Sequence, residues 1–313
     1  MDTPTSLIFD VPLHKYTDNC GNVYTSVTTL IDNYYEKFDI KKMARICELS
    51  GRKGNPKYKG KTAKMLEKEW ALTSKTACEY GTEKHGYLED CINNSTGYRK
   101  NSDMLNVGGR MLTVKEVIVH PGFGELNLDY FIQTKIDILY PSIYAIIVGL
   151  VKQEYRIYAE IGVFKPDRLV SGTIDLLFIK GYEFIILDWK TNKADIKYEA
   201  GYFEKDVNGE LTTNFIETHK TFNDPLSHVP ASTGHKYTFQ LSTYAYLCEI
   251  LGLTCKAIVL CHIRREQLIS PITNCLVDRV DFHNIKYMKE EVISMIDHHH
   301  FNRKLKGQLE FTV

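Results

Sequence analysis

The chain has 313 residues, with 39 Lys and Arg balancing 39 Asp and Glu, 43 % hydrophobic and 25 % charged residues. That balance belongs to a globular protein and excludes wholesale disorder, a collagen-like repeat or a long coiled coil. No apolar run approaches the roughly 18–20 residues that cross a bilayer, and the start (Met1-Asp2-Thr3-Pro4) lacks the charged and apolar regions of a secretory signal. The expectation is an intracellular protein with reduced thiols and no membrane partner. Its eight cysteines (20, 47, 78, 91, 248, 255, 261 and 275) contain no C-x-x-C and read as free, mostly buried residues.

In chain order, a short extended start leads to Ser26, a candidate N-cap for a helix running to Tyr35. Residues 51–60 hold three Gly and a Pro and read as loop. Helix is expected over about residues 62–91, interrupted near Gly81, and again over about 127–150, kinked or divided at Pro141. The pattern then turns extended: residues 155–163, 169–179 and 183–190 predict three strands joined by tight turns. Residues 191–233 are polar and irregular, in the manner of a long insertion that lies over a functional site or is left mobile. Helix returns at 234–250, a strand at 256–264 and a last helix at 284–300, with 265–283 unassigned. No linker divides the chain, so 1–313 reads as one α/β domain: a helical N-terminal part (1–100), a core (150–265) carrying the polar insertion (191–233), and a C-terminal helix and tail (280–313).

The turn at Lys180-Gly181-Tyr182-Glu183 suits a two-residue type II′ hairpin, with Gly at its first central position. Counting back from a 180/183 pair sets Asp175 opposite Asp188 and Thr173 opposite Lys190, with Asp188 and Lys190 on one face and Trp189 on the other. Two opposed carboxylates in apolar strands repel each other and are costly to bury, unless a cation lies between them. Hard oxygen ligands favour Mg²⁺ or Mn²⁺, and the Lys190 amine could stabilise charge developing on a phosphate. The bland alternative puts both Asp residues at strand ends in solvent, with Lys190 pairing one of them.

His85 and Glu89 lie four apart on a helix that follows Gly81, where His85 could add an imidazole ligand or serve only in packing. Tyr237, Gln240 and Tyr244 share a helical face; they could bind phosphate and stack on bases, although taken alone the stripe reads as a core seam. Between Lys41 and Lys68 stand ten Lys and Arg against two Glu, with Tyr58 among them, a track for a nucleic-acid strand or simply a solvated basic face. His298-His299-His300 reads as surface, because consecutive helical residues cannot all chelate one ion.

The order His85, Gly172-x-x-Asp175, Asp188-x-Lys190, Gln240-x-x-x-Tyr244 resembles the PD-(D/E)xK nucleases, in particular the RecB-like exonuclease branch with its phage and mitochondrial genome maintenance members. The resemblance spans about residues 24–264, opening at Tyr24-Thr25-Ser26-Val27-Thr28-Thr29. It implies a restriction-endonuclease-like core, a mixed central β-sheet flanked by helices, with a helical N-terminal elaboration. It further implies that His85, Asp175, Asp188 and the Trp189 backbone carbonyl bind Mg²⁺ or Mn²⁺, that Lys190 is catalytic alongside Asp175 and Asp188, and that Gln240 and Tyr244 position DNA. Glu160 resembles an acidic residue preceding the G-x-x-D strand and is expected on the Asp175 face, several residues away, in a peripheral role. Ile174-Asp175 stands where the family name has Pro-Asp, while Pro166-Asp167 reads as a turn. The late cysteines are not spaced for the iron-sulfur cluster of some relatives, so none is expected. The implied activity is a metal-dependent deoxyribonuclease, an exonuclease acting on single strands or DNA ends in recombination, repair or replication. The rivals are a structure-specific endonuclease of the same fold and a catalytically silent DNA-binding subunit. A nucleotide-binding enzyme lacks its expected signal, since no Gly-rich phosphate loop is present.

Overall fold

Three short antiparallel strands open the chain: β1 (Leu7–Asp10), β2 (Lys15–Asp18) and β3 (Val23–Ser26). The computed structural model describes residues 6–96, 109–206, 208, 210–270, 274 and 276–310. Cys275 lies outside them. Ser26 caps helix α1 (Val27–Asp32), its hydroxyl accepting from the Thr29 N–H at 3.1 Å. Helix α2 (Ile40–Arg52) is capped by Asp39, and a single 3₁₀ turn over Pro56–Tyr58 sits in the Gly-rich loop after it. Tyr58 packs with Ala44, Cys47 and Leu66 in a small separate core, so its ring is a packing group within the basic stretch.

Helix α3 (Ala63–Ser95) runs 33 residues without the interruption expected at Gly81. A mid-helix Gly costs only about 1 kcal/mol relative to Ala, and Gly81 has a use: a Cβ there would lie 3.1 Å from Thr191 Oγ1. Strand β4 (Arg110–Met111) and helix α4 (Val114–Val119) follow, the latter closed by a Thr113/Glu116 capping box. The next helical region divides into α5 (Leu128–Gln133), α6 (Ile136–Leu139) and α7 (Pro141–Lys152). Pro141 begins α7 as foreseen, and Lys135 makes a second break at φ 63°.

The expected strands form β5 (Arg156–Lys165), β6 (Val170–Lys180) and β7 (Glu183–Lys190). Gly181 has φ 57° and Lys180 pairs with Glu183, as the hairpin argument requires. Part of the following segment is an exposed hairpin, β8 (Gly201–Lys205) with β9 (Leu211–Glu217). The remainder is anchored to the core, a departure from the expected polar insertion: among mostly exposed neighbours, Phe222, Leu226 and Val229 are buried, each contributing on the order of 1.5–3 kcal/mol. Helix α8 (Thr233–Glu249) crosses back so that β10 (Thr254–Ile269) lies parallel to β7. Unassigned residues supply β11 (Leu276–Asn284), antiparallel to β10, and α9 (Lys289–Glu310) closes the described chain. The three histidines of α9 are half-buried, and two of them dock it: His298 against the Tyr34 hydroxyl at 3.0 Å and His299 against Thr25 at 3.2 Å. They are not free surface.

The result is an α/β protein with a large mixed sheet flanked by helices, in the order β11-β10-β7-β6-β3-β2-β1-β4 with β5 on the other edge of β6. One face packs against α1, α8 and α9 and the other against α3 and α5 to α7. No described helix is long and apolar enough to cross a membrane.

Two features of β6 position the site. First, β5 runs along one edge of β6 over its whole length, while the other edge is shared: β7 pairs with residues 176–180 and β3 with residues 170–171. The sheet therefore forks at residues 172–175. Second, side-chain alternation slips once in each of two strands. On β5, Ile157 and Ala159 face the α3 side but Ile161 and Val163 the α8 side; on β6, Leu176 and Phe178 face the α3 side but Val170 and Ile174 the α8 side. The slips fall at Glu160 and Asp175, which the flanking pairs Ala159/Leu176 and Ile161/Ile174 set opposite each other. Glu160 has φ 52°, a conformation that costs a non-Gly residue on the order of 1–2 kcal/mol.

Candidate functional site

At the fork, the β6–β7 ladder ends with Leu176/Leu187, and a side chain takes its place: Asp175 Oδ2 accepts the Trp189 N–H at 2.9 Å. The carboxylate thus holds the two diverging strands together. Thr173, counted opposite Lys190 from sequence, instead bonds the Tyr16 hydroxyl at 2.9 Å. Asp188 is wholly buried and pairs with Lys190 through Oδ2, while its Oδ1 is buried without a hydrogen-bond partner among the described residues. Leaving such an atom unpaired costs about 1–3 kcal/mol.

Helix α3 brings His85 to this point from one side of the sheet. Its Nδ1 lies 3.6 Å from Asp175 Oδ2, and its ring also hydrogen-bonds the backbone of Trp189. His85, Glu160 and Asp175 offer ligand atoms that all lie within 4.8 Å of one another. Asp188 is not in that group of three, and Glu160, expected several residues away, is directly opposite Asp175. Register alone could not reveal this, because the residues on either side of Glu160 (157–159 and 161–163) put apolar groups on both faces and conceal the slip. Glu89, one turn after His85, accepts from the Asn93 amide at 3.1 Å and adds its negative charge near Glu160 and Asp175.

Electrostatics follow from this crowding. Burial, then the neighbouring Asp175, pushes the Asp188 carboxyl up to about 6. Burial likewise raises Asp175, and burial with Asp175 beside it raises Glu160 well above the usual carboxylate range. His85 is lowered, by burial first and by Lys190 second, which keeps it a neutral lone-pair donor. Burial opposes the charge of Lys190, but Asp188 and Asp175 outweigh it and raise its pKa, so it stays a cation. One cation therefore faces three crowded carboxyls, and one oxygen of Asp188 has no hydrogen-bond partner among the described residues. An imidazole with carboxylates is a donor set that fits a divalent ion, whose charge would relieve the repulsion.

From the opposite face, α8 presents the remaining sequence-marked residues. The Tyr244 ring lies on the backbone of Gly172, where a Cβ would meet Cε1 at 2.5 Å, and Gln240 Nε2 donates to the Tyr244 hydroxyl at 3.2 Å. Tyr244 is core, with its hydroxyl pKa raised by burial; half-buried Gln240 is the member of the pair nearer solvent. Tyr237 sets its ring 5.1 Å from Lys190 Nζ and donates its hydroxyl to Asn192 Oδ1 at 2.7 Å. Asn192 and His262 were not singled out from sequence, where neither belongs to a spaced motif. Asp167 lies in the β5–β6 turn, paired with Lys165 and Arg168 and away from the site. None of the seven described cysteines is in a disulfide, and 47, 91, 248 and 261 are buried.

No protein-family model matches the chain, and no curated protein matches it.

Proposed function

We propose that the chain is a metal-dependent DNA exonuclease with a restriction-endonuclease-like core of the PD-(D/E)xK, RecB-like type, acting on single strands or DNA ends in recombination, repair or replication. The observation that carries the reading is the junction of His85, Glu160 and Asp175 within 4.8 Å of one another at the fork, beside the Asp188–Lys190 pair. His85, Glu160 and Asp175 would hold Mg²⁺ or Mn²⁺, with Asp188 and the Trp189 carbonyl alongside. Bound there, the ion would supply Lewis-acid charge to the scissile phosphate and lower the pKa of an attacking water.

The protein's own groups do the rest. Lys190, kept protonated by Asp188, offers a cation to the negative charge that builds on the phosphate during in-line displacement. Asp175 ties Trp189 to β6 and so keeps the tip of β7 aligned while the strands diverge. Tyr244 fills the space over Gly172, and Gln240 and Tyr237 line the α8 side, where a strand of DNA would lie. The basic stretch of α2 and early α3 would attract the phosphate backbone.

The test is incubation with single-stranded DNA labelled at either end, beside a closed single-stranded circle, in Mg²⁺, Mn²⁺ or EDTA. Degradation of the linear strand alone, dependent on metal, is the expected result. Cutting of the circle would make the protein an endonuclease, and binding without cutting would make it a silent subunit.

A further inference from the structure

His262 lies on β10 opposite Lys190 in the parallel β7/β10 ladder and is wholly buried. Its Nε2 is 2.8 Å from the Asn192 carbonyl oxygen. A carbonyl only accepts, so the proton is on Nε2 and Nδ1 carries a bare lone pair. That Nδ1 is buried with no hydrogen-bond partner among the described residues. An apolar side chain would occupy the same place without that cost, so the bond to Asn192 is the feature that distinguishes histidine here. Asn192 is the second residue after Lys190, at the point where β7 has ended and ladder bonds no longer hold the chain. It is held twice: by His262 on its carbonyl, and through its side chain by the Tyr237 hydroxyl at 2.7 Å. The Tyr237 ring in turn lies 5.1 Å from Lys190 Nζ.

We propose that His262 is a positioning residue for Lys190, acting through Asn192 and Tyr237; its effect on turnover rests on the nuclease reading above. His262 fixes the Asn192 backbone, Asn192 fixes the Tyr237 hydroxyl, and the anchored ring confines the ammonium beside Asp188. Arg264, His283 and Asp281 surround His262 on β10 and β11, and none of them joins this chain of bonds to Lys190.

The experiment uses the full chain and two readouts. One is the lysine ammonium ¹H–¹⁵N NMR signal of Lys190, identified by its loss in Lys190→Arg; the other is steady-state cleavage of linear single-stranded DNA in Mg²⁺. His262→Leu is expected to move the Lys190 signal and lower kcat by about tenfold, the scale of a sub-ångström misplacement, with KM unchanged. His262→Gln, whose amide can donate to the same carbonyl, is expected to restore both. Tyr237→Phe is expected to reproduce the loss and to add nothing in the His262→Leu background. An unmoved Lys190 signal, or losses that multiply in the double variant, overturns the proposal. Should His262→Leu not fold, Tyr237→Phe against wild type decides it: a shifted signal with lower kcat supports the chain of bonds, and no change refutes it. If wild type cuts no DNA but the Lys190 signal still moves in His262→Leu and returns in His262→Gln, the nuclease reading fails while the positioning stands.

Discussion

The contact between Gly172 and Tyr244 makes a sharp demand on both stability and chemistry. An alanine Cβ at position 172 would sit 2.5 Å from Tyr244 Cε1, well inside van der Waals contact, and the ring is 4 % exposed and cannot swing to solvent. Forcing one methyl into such a place costs about 1–3 kcal/mol. With an unfolding entropy near 2.1 cal/mol/K per residue, that is about 2–5 °C in Tm for a chain of this length. Asp175 lies three residues along the same strand, so displacement at the fork is expected to lower kcat by about 10- to 100-fold as well. The assay is thermal denaturation with single-turnover cleavage for Gly172→Ala, Tyr244→Leu and the double variant. Tyr244→Leu removes the clashing ring at a cost of about 2–4 kcal/mol, and in that background Gly172→Ala is expected to add less than about 0.5 kcal/mol. Wild-type stability and rate in Gly172→Ala, or the same penalty with and without the ring, would mean that the Tyr244 ring does not exclude a side chain at position 172.

Three further outcomes follow from other parts of the molecule. Burial raises the Asp18 carboxyl, but the Asn22 amide, the Tyr24 hydroxyl and the N–H groups of Asn22 and Cys20 outweigh it and pull the pKa below 3.8. A depressed carboxyl stabilises fully above its unfolded value and loses that contribution as pH falls through the folded one; Asp18→Asn is therefore expected to cost about 1–3 kcal/mol at pH 7 in urea denaturation and progressively less below about pH 4. A gap independent of pH would contradict this. Glu160→Gln removes one repelling carboxyl, so it is expected to raise the Tm of the metal-free protein and abolish the stabilisation by MnCl₂, which in wild type reaches about 2.7 kcal/mol at a hundredfold excess over Kd; a retained stabilisation would remove Glu160 from the site. Maleimide is expected to label exposed Cys20 and Cys78 in the native protein and buried Cys248 and Cys261 only after unfolding, read by peptide mass mapping. Early labelling of Cys261 would mean that β10 is not packed as described.

What could be read from sequence was what local chemistry decides. The hairpin register followed from Gly181 alone, because a two-residue turn admits few pairings, and Ser26 announced α1 through its cap. Pro141 likewise marked a kink or division of the helical region, and α7 begins there. What stayed hidden depends on contacts between distant segments. The slips at Glu160 and Asp175 left no pattern, since β5 and β6 are apolar on both faces, and with them the approach of Glu160 was lost. Gly81 suggested a break in α3, whereas its lack of a side chain is what lets that helix lie against Thr191. Val280 and Phe282 alternate with Asp281 and His283 as a strand should, but polar residues and a charge-rich β10 end obscured β11. His262 and Asn192 carry no motif, and only the parallel pairing of β10 with β7 brings His262 beside Lys190 and against Asn192.

The cleavage site proposed at the fork is metal-dependent and built on Asp175 and Lys190. Its most direct test is single-turnover cleavage of end-labelled single-stranded DNA in Mg²⁺ by wild type, Asp175→Asn and Lys190→Ala, each matched for folding by circular dichroism. Cleavage by wild type that EDTA abolishes is expected, with a loss of at least about 10³-fold in both variants, the scale on which removing one charge-stabilising group acts. Equal cleavage by all three folded proteins would contradict it.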